Sequence, residues 1–336
     1  MGGKALKKTN TIRLNQKEFF EVQNISIEKL KKQFEVVIPI KAYKNKLDFG
    51  DLDILVSKPK PEYKILKEFL EKEFNTKEIV NNGSIVSFEY NNFQIDLIFE
   101  TKENLNIAEF YFSYNDLNNI IGKIAYSFGL KFGFDGLYYP LRTEHGNLSE
   151  EVLLTKNPEE IYNFLDYDYK SYLKGFDSLE AIFEFVISSK YFSSDKYLKS
   201  YEELSTVDKT RIKKRKTYNE FILWLEKVKP QNNFNFNEDK TSYIDFIANF
   251  FPNSNLKEKI NEFKNKQNQL EEISTKFNGK IIMSLYPNLN GKELGEFIIE
   301  FKKYLSKENS IFEDIIYKLS ANEIEEKIKV FYSLYK

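Results

Sequence analysis

The sequence predicts an α/β (α+β) protein with a mixed sheet in its N-terminal half, followed by an all-helical C-terminal region. Acids alternate with apolar residues in Asp51-Leu52-Asp53-Ile54-Leu55-Val56, a pattern typical of a strand with one buried face. The turn signals Asn81-Asn82-Gly83 and Asn91-Asn92 separate apolar runs of strand length and indicate hairpins. Apolar residues at helical spacing between positions 256 and 277 predict a long helix in the C-terminal region.

The elements follow in order along the chain. A helix is predicted over residues 26–34, within a basic N-terminal segment that we expect to be frayed. An apolar run at 34–40 predicts the first strand, and a basic loop leads from it to the acidic strand. Further elements are expected as a helix at 61–74, strands at 78–80, 84–90 and 93–99, a helix ending at 128, a strand after 129 and a helix at 159–165.

The composition narrows the class of protein. The 336 residues include no cysteine and one histidine, so disulfides, thiol catalysis and most zinc hydrolases are excluded. The lack of cysteine favours a reducing, intracellular compartment such as the cytoplasm, and no apolar run is long enough to predict a membrane span. Because the net charge is −1, we expect any nucleic-acid surface to be a local basic patch.

Three carboxylates form the predicted site. Asp51 and Asp53 share one face of the acidic strand, and Asp96 lies inside the apolar run 93–99. Neighbouring carboxylates repel one another, and such groups are usually retained because a divalent cation lies between them. Three acids on adjacent strands suit two metal ions and in-line nucleotidyl transfer. We therefore predict that Asp51, Asp53 and Asp96 are catalytic and hold two Mg²⁺ or Mn²⁺ ions.

The acids are followed by a Tyr-Phe pair, Tyr111 and Phe112, by Asn119 eight residues after that Tyr, and by a strand that begins near Gly129. With these pieces, residues 34–170 resemble the palm and thumb of family X (polymerase β-like) DNA polymerases. That family has an acid-x-acid strand and a third acid on a nearby strand, then a Tyr-Phe pair, an Asn at the same spacing and a Gly-Leu-aromatic strand. The resemblance implies a nucleotidyltransferase that joins a (d)NTP to the 3′ end of a DNA primer or an RNA.

The resemblance also implies roles for residues around the acids. Tyr111 and Phe112 are expected to pack against the nucleotide sugar, and Asn119 to contact the base edge. Lys123, one turn beyond Asn119, is expected to reach the template strand. Gly50, which ends the loop before the first acid, is expected on the nucleotide side of the site.

The basic loop departs from the family pattern. The family holds the triphosphate with a Gly-Ser pair, and those positions read Ile40-Lys41 here. We expect Lys41 and Lys44 to supply the charge instead, although a lysine lacks the bidentate fork of an arginine. The family's N-terminal DNA-binding and lyase domain has no counterpart in the 33 residues before the palm.

The C-terminal half contains a dense cationic run. Six cations occur within eight residues, against a nearly neutral chain, and this favours contact with a phosphate backbone. The alternative is a solvated helix face balanced by nearby acids. The predicted nucleic-acid contacts in this run are Lys209, Arg211, Lys213, Lys214, Arg215 and Lys216.

The tail carries a second, shorter resemblance. Gly291-Lys292-Glu293-Leu294-Gly295 resembles a turn and helix near the end of CCA-adding tRNA nucleotidyltransferases. The structural alternative is a helical hairpin in which the two glycines allow tight packing. The predicted segments are an N-terminal basic helical segment (1–33), a palm and thumb (34–170), a helical domain with the basic run (171–229) and a C-terminal helical nucleic-acid-binding domain (240–336).

Three functions therefore remain open. The first is a metal-dependent nucleotidyltransferase most like a family X DNA polymerase. The second is a template-independent RNA nucleotidyltransferase of the CCA-adding or poly(A) type, which the tail favours. The third is a palm that binds nucleotide or nucleic acid without turnover, which the missing Gly-Ser pair favours. Intact acids at all three positions argue for an active enzyme.

Overall fold

The computed structural model describes residues 3–198, 203–306 and 311–335, without the side chains of Arg211 and Ile212. The protein has mixed α/β structure, with a mixed sheet and many helices, as predicted. Two compact units divide the chain, one formed by Met1–Pro140 and Glu150–Leu256, the other by Leu141–Ser149 and Lys257–Lys336. Within the described ranges, no helix has the length and apolar character needed to cross a membrane.

A five-stranded sheet forms the centre of the first unit. Its order is β2-β4-β7-β6-β5, and only the β4–β7 pair is parallel. The predicted hairpins are confirmed, and Asn91 and Asn92 take positive φ angles of 53° and 63° in the β6–β7 turn. The strands are β2 (Val37–Pro39), β4 (Asp51–Ser57), β5 (Ile79–Asn82), β6 (Ile85–Tyr90) and β7 (Phe93–Glu100).

Apolar side chains cover both faces of this sheet. Leu52, Ile54 and Val56 are buried in the main core, as the period of two predicts. Leu55, on the opposite face, is buried in a second cluster with Ile98, so β4 is an internal strand. Asp51 and Asp53 lie on the same face of β4 as Leu55. They are nearer the start of the strand, outside the second cluster.

The first helix begins earlier than the sequence predicted. It spans Gln16–Leu30 (α1), whereas the prediction was 26–34. Asn15 and Glu18 form a capping box, with each side chain accepting a hydrogen bond from the other residue's main-chain N–H. The predicted helix at 61–74 is confirmed as α2 (Tyr63–Phe74), and it buries Leu66, Leu70 and Phe74.

Further helices and a small sheet follow the five-stranded sheet along the chain. Aromatic residues form much of the interior of the first unit, including the fully buried Tyr162, Phe164 and Phe221. A three-stranded sheet has the order β10-β9-β8. The remaining elements are β1 (Leu14–Asn15), β3 (Asp48–Phe49), α3 (Leu105–Phe112), α4 (Leu117–Ser127), β8 (Lys131–Gly133), β9 (Gly136–Arg142), β10 (Leu148–Thr155), α5 (Pro158–Phe164), α6 (Tyr169–Lys174), α7 (Leu179–Ile187), α8 (Thr206–Lys214), α9 (Lys216–Val228) and α10 (Ile244–Phe250).

The second unit has a helical core of its own. Phe297, Phe301, Ile316 and Ile328 are buried there. Its helices are α11 (Leu256–Lys276), α12 (Gly279–Leu285), α13 (Gly291–Leu305), α14 (Phe312–Lys318) and α15 (Ala321–Tyr335). The helical character predicted for this region is confirmed for the described residues.

Candidate active site

The three predicted acids lie on two adjacent parallel strands. Asp53 of β4 is the register partner of Asp96 on β7, and Asp51 is the partner of Gln94. Neighbouring strands are about 4.8 Å apart, so the two facing aspartates are close. All three are partly buried, at the edge where β4 begins. The strand register thus places Asp53 beside Asp96, with Asp51 two residues earlier on the same strand.

Burial and neighbouring charge raise the pKa of two of these carboxylates, Asp53 and Asp96. The pKa of Asp53 lies well above its ordinary value, chiefly because of burial and then because of the charges of Asp51 and Asp96. Burial also raises the pKa of Asp96 to about 6, although hydrogen bonds from Ser87 and Gln94 oppose the shift. Ionising Asp53 and Asp96 in this buried place is therefore unfavourable, and a bound cation would relieve that cost.

The N-terminal segment contacts Asp51 directly and reaches Asp96 through Gln94. Gly3 donates its main-chain N–H to Asp51 Oδ2 at 3.0 Å. The Gln94 amide donates to both carboxylate oxygens of Asp96 at 3.0 Å, and its Oε1 accepts the Ala5 N–H at 2.9 Å. We call residues 3–9 the N-terminal strap. The frayed terminus expected for this segment is wrong for the described residues, because polar partners hold the strap in place.

A buried glutamate anchors the other end of the strap. The carboxylate of Glu78 accepts hydrogen bonds from three successive main-chain amides, those of Lys7, Lys8 and Thr9, at 2.8–3.0 Å. Burial alone would raise the pKa of Glu78, but these hydrogen bonds outweigh it and lower the pKa. Farther along, β1 pairs with β3 and so joins the segment to the loop before Asp51.

The donor set fits magnesium or manganese. Carboxylate oxygens are the ligands that these hard cations prefer, and the three acids supply them. The acids also repel one another when they are ionised. Among the described residues, no three His, Cys, Asp or Glu side chains are grouped closely enough to form a ready-made metal site. Two of the acids instead face protein donors, Asp51 toward Gly3 and Asp96 toward Gln94.

The two lysines predicted to hold the triphosphate have acidic partners. Lys41 Nζ lies 2.9 Å from Glu109, and Lys44 Nζ lies 2.7 Å from Asp177. Both lysine side chains are more than half exposed, so each pair can open toward a phosphate at small cost. The structure does not bring either lysine into contact with the three acids.

Lys46 is the cation that sequence reasoning missed. Its ammonium lies over the ring of Phe49, 4.6 Å from the centroid. Burial lowers the pKa of Lys46, while the charges of Asp51 and Asp53 oppose that shift. The sequence predicts a basic loop before the acidic strand but gives Lys46 no role of its own. The signal available was its position five residues before the first acid, closer in sequence than Lys41 or Lys44.

Gly50 is buried directly before the first acid. A Cβ atom at Gly3, which has a φ of 79°, would lie 2.3 Å from the Gly50 carbonyl oxygen. The strap thus approaches the backbone of the site as closely as a glycine permits.

The aromatic pair and Asn119 lie on the two helices that follow the acids. Phe112 stacks on Phe134 with ring centroids 5.7 Å apart, and Phe134 is 40% exposed. Tyr111 packs edge-on against Phe132. On α4, Asn119 Oδ1 is buried and has no hydrogen-bond partner among the described residues.

Lys123 is not at the surface. Its ammonium lies 3.2 Å from the Tyr218 hydroxyl and 3.4 Å from Asp208, and only 8% of the residue is exposed. It also lies over the ring of Tyr197. In this structure Lys123 connects α4 with α8 and α9 and does not present its charge to a template strand.

The cationic run covers the junction of α8 and α9. Lys213, Lys214 and Lys216 are exposed, and Lys216 pairs with Glu220 at 3.5 Å. Arg215 bonds to Asp116, the residue before α4, and Lys209 is partly buried with a partner of its own. The side chain of Arg211 lies outside the described set.

The run lies near the loop that leads to the acids. The pKa of Asp48 is lowered, chiefly by a hydrogen bond from Arg13, and the charges of Lys216 and Lys46 contribute. Lys216 therefore lies within electrostatic range of Asp48, three residues before Asp51.

In the second unit, the glycines of the tail resemblance lie in open surroundings. A Cβ atom added at Gly291 or Gly295 would meet nothing within 4 Å among the described residues. The tight packing considered for these glycines is therefore wrong. Gly291 has a φ of 51°, which accounts for a glycine at the start of α13.

No protein-family model matches this chain, and no curated protein has a significantly similar sequence.

Proposed function

We propose that this protein is a metal-dependent nucleotidyltransferase that adds nucleotides from a (d)NTP to the 3′-hydroxyl of a nucleic acid. The observation that carries the proposal is the pairing of Asp53 with Asp96 across parallel strands, with Asp51 two residues before. Burial and mutual repulsion make these charges unfavourable, and proteins retain such groups where divalent cations use them. The resemblance of residues 34–170 to family X DNA polymerases supports the same chemistry.

The reaction requires one bond to form and one to break. The 3′-oxygen of the nucleic acid bonds to the α-phosphorus of the nucleotide, the bond from that phosphorus to the bridging oxygen breaks, and pyrophosphate leaves. Asp51 and Asp53 would hold both cations, and Asp96 would hold the one beside the 3′-hydroxyl and accept its proton. When bound, two Mg²⁺ ions supply charge that lowers the hydroxyl pKa and stabilises the leaving group.

Cations of the chain would bind the phosphates. Lys46 already acts electrostatically on Asp51 and Asp53, and Lys41 and Lys44 can exchange their acidic partners for the triphosphate. Phe112 and Tyr111 would pack against the sugar, and Asn119 would meet the base. The exposed lysines beside α8 and α9 would contact the nucleic-acid backbone. A cysteine-free chain with these substrates is consistent with a cytoplasmic location.

A primer-extension assay tests the proposal. Labelled DNA and RNA primers are incubated with and without template, with each dNTP and NTP, in Mg²⁺ or Mn²⁺. We expect products longer than the primer that disappear with EDTA and return when the metal is restored. If no combination yields extension, while the protein still binds nucleotide, the chain is a binding palm and the proposed reaction is refuted.

A further inference from the structure

The N-terminal strap presents its cations to solvent. Hydrogen bonds to Asp51, Gln94 and Glu78 hold its main chain, and its one large apolar side chain, Leu6, is buried. The lysines of the strap are exposed, and within the described ranges none of them forms an ion pair; they are Lys4, Lys7 and Lys8. Three positive charges are therefore displayed along a segment whose main chain is fixed.

Two glutamates beside the strap have partners of their own. Glu78 accepts the main-chain amides of the strap, and Glu71 on α2 pairs with Lys67 at 3.6 Å. Because these carboxylates are occupied, the lysines of the strap remain available to an anion from outside the protein.

A groove continues from the strap toward α2 and β5. Its volume is about 280 Å³, and Lys8 of the strap, Tyr63 and Lys77 are among the residues that line it. We call it the strap groove. Lys77 is exposed and, like the strap lysines, has no ion-pair partner among the described residues. Tyr63, the first residue of α2, leaves 44% of its surface exposed there.

Unpaired cations beside an exposed aromatic ring are the features that bind single-stranded nucleic acid. The cations follow the phosphates, and the ring stacks on a base. In a duplex the neighbouring base pairs cover the faces of each base, so a duplex would offer phosphates to the lysines but no internal base to Tyr63. The ring in the strap groove therefore favours a single strand.

The strap leads from this groove to the acids. Lys8 follows Gly3 by five residues, so their Cα atoms are at most about 18 Å apart. At the other end, Gly3 bonds to Asp51, and Ala5 bonds to the Gln94 amide that donates to Asp96. In the proposed reaction Asp96 receives the proton of the 3′-hydroxyl. The strap thus meets the active site beside the acid that serves the acceptor strand.

We propose that the strap and the strap groove bind the single-stranded 3′ end of the nucleic acid that the enzyme extends. The terminal nucleotide lies beside the acids, and Lys4 and Lys7 contact the phosphates next to it. Lys8 and Lys77 contact phosphates farther from the end, and Tyr63 stacks on a base there. This inference rests on the proposed nucleotidyl transfer and adds that the acceptor is a single strand held by residues 3–9.

The salt dependence of binding tests the lysines. Fluorescence anisotropy of labelled single-stranded DNA and RNA oligonucleotides measures binding without nucleotide or metal. Replacing Lys4, Lys7 and Lys8 together by Gln should flatten the slope of log K against log salt by about two, since each phosphate contact of a single strand contributes about 0.7. The triple Arg variant should keep the slope. The hydrogen bonds of the strap come from its main chain, so both variants should fold as the wild type does.

A change at Tyr63 tests the base contact. Tyr63→Leu should weaken binding of the single-stranded oligonucleotides about tenfold, because one stacked base is lost. Tyr63→Phe keeps the ring and should bind as the wild type does. Neither change should alter the affinity for a blunt duplex of the same length.

The matched control removes three charges from the opposite end of the sheet. Lys31 and Lys32 follow α1 and precede β2, whose Val37 pairs with Val56 near the end of β4, away from the acids. Lys102 follows the same end of the parallel strand β7. All three lysines are exposed. Their triple Gln variant should keep the wild-type slope.

Equal slopes for the two triple Gln variants, or a Tyr63→Leu protein that binds the single strand normally, would overturn the inference. So would a wild-type protein that binds the blunt duplex more tightly than the single strand. If the wild type extends a primer and the strap variant has an unchanged KM for that primer, the reaction stands and the inference falls. If the variants lose binding as expected but the wild type extends no primer, the proposed reaction is refuted and the single-strand surface stands.

Discussion

The main-chain N–H of Gly3 donates to Asp51 Oδ2 across 3.0 Å, although 48 residues separate the two in sequence. Gly3 can occupy this place because it has no Cβ. An added methyl group would lie 2.3 Å from the Gly50 carbonyl oxygen, and the φ of 79° would strain any other residue. The N-terminal strap therefore orients the first acid, in the way that hydrogen bonds orient ligating carboxylates in metal sites.

Replacing Gly3 tests this orientation. Gly3→Ala should displace the strap and weaken Mg²⁺ binding about tenfold, the usual effect of losing a partner of a metal ligand. Isothermal titration of Mg²⁺ into the variant measures it. Gly83→Ala is the control, because Gly83 also has positive φ, 60°, but open surroundings. Equal affinities for wild type and Gly3→Ala would show that the contact does not serve the metal site.

The anchor at Glu78 predicts a pH-dependent stability. Since the folded-state pKa of Glu78 is lowered, its charge stabilises the protein above the ordinary value of 4.5, and this contribution is lost as pH falls through the lowered pKa. Glu78→Gln should cost about 1–3 kcal/mol at pH 7, because buried amides lose a charged acceptor. Denaturant unfolding of both proteins at several pH values measures the difference.

The difference should shrink as the pH falls below 4.5 and should vanish below the lowered folded-state pKa, where the carboxylate is protonated in both states. Glu68→Gln, an exposed change on α2, should leave stability nearly unchanged at every pH. A Glu78→Gln protein as stable as wild type at pH 7 would contradict the anchor.

Lys46 should matter more for nucleotide binding than Lys44. The charge of Lys46 acts on Asp51 and Asp53, whereas Lys44 pairs with the exposed Asp177. We expect Lys46→Met to raise the KM for nucleotide about tenfold, equivalent to about 1.4 kcal/mol, with little change for primer. Lys44→Met, which removes the same charge from the same loop, should raise it less. The reverse order in steady-state kinetics would place the phosphates at Lys44.

The exposed lysines at the α8–α9 junction should set the salt dependence of nucleic-acid binding. Each lost phosphate contact reduces the slope of log K against log salt by about 0.7–0.9. Neutralising Lys213, Lys214 and Lys216 together should therefore flatten the slope by about two to three. Fluorescence anisotropy of a labelled primer over a range of salt concentrations measures this slope.

A second triple variant controls for net charge. Lys64, Lys67 and Lys72 are exposed on α2. Neutralising these three lysines removes the same charge from another surface. That variant should keep the wild-type slope. If the two triple variants behave alike, the run is a solvated helix face.

The elements that carry the acids could be predicted because their signals are local. Alternation defines the strand at Asp51 and Asp53, and Asn91-Asn92 defines the turn before the strand of Asp96. The roles of single cations could not be predicted, because they depend on partners distant in sequence. Lys41 meets Glu109, and Lys123 is buried against Tyr218 and Asp208, none of which local periodicity reveals.

The position of the N-terminal strap could not be predicted for the same reason. Its basic, polar sequence is typical of a loose terminus, and only the folded sheet supplies Asp51, Gln94 and Glu78 as acceptors. The start of α1 was predictable in principle, since Asn15 and Glu18 have the spacing of a capping box.

The most direct test of the central claim is the rate of nucleotide addition by Asp96→Asn and Asp53→Asn. If the three carboxylates hold the catalytic cations, each variant should fold normally by circular dichroism and lose at least 99% of wild-type kcat, about 2.7 kcal/mol or more of transition-state stabilisation. Asp314→Asn, an exposed change on α14, should keep full activity. A kcat above about a tenth of wild type in either site variant would contradict the two-metal assignment.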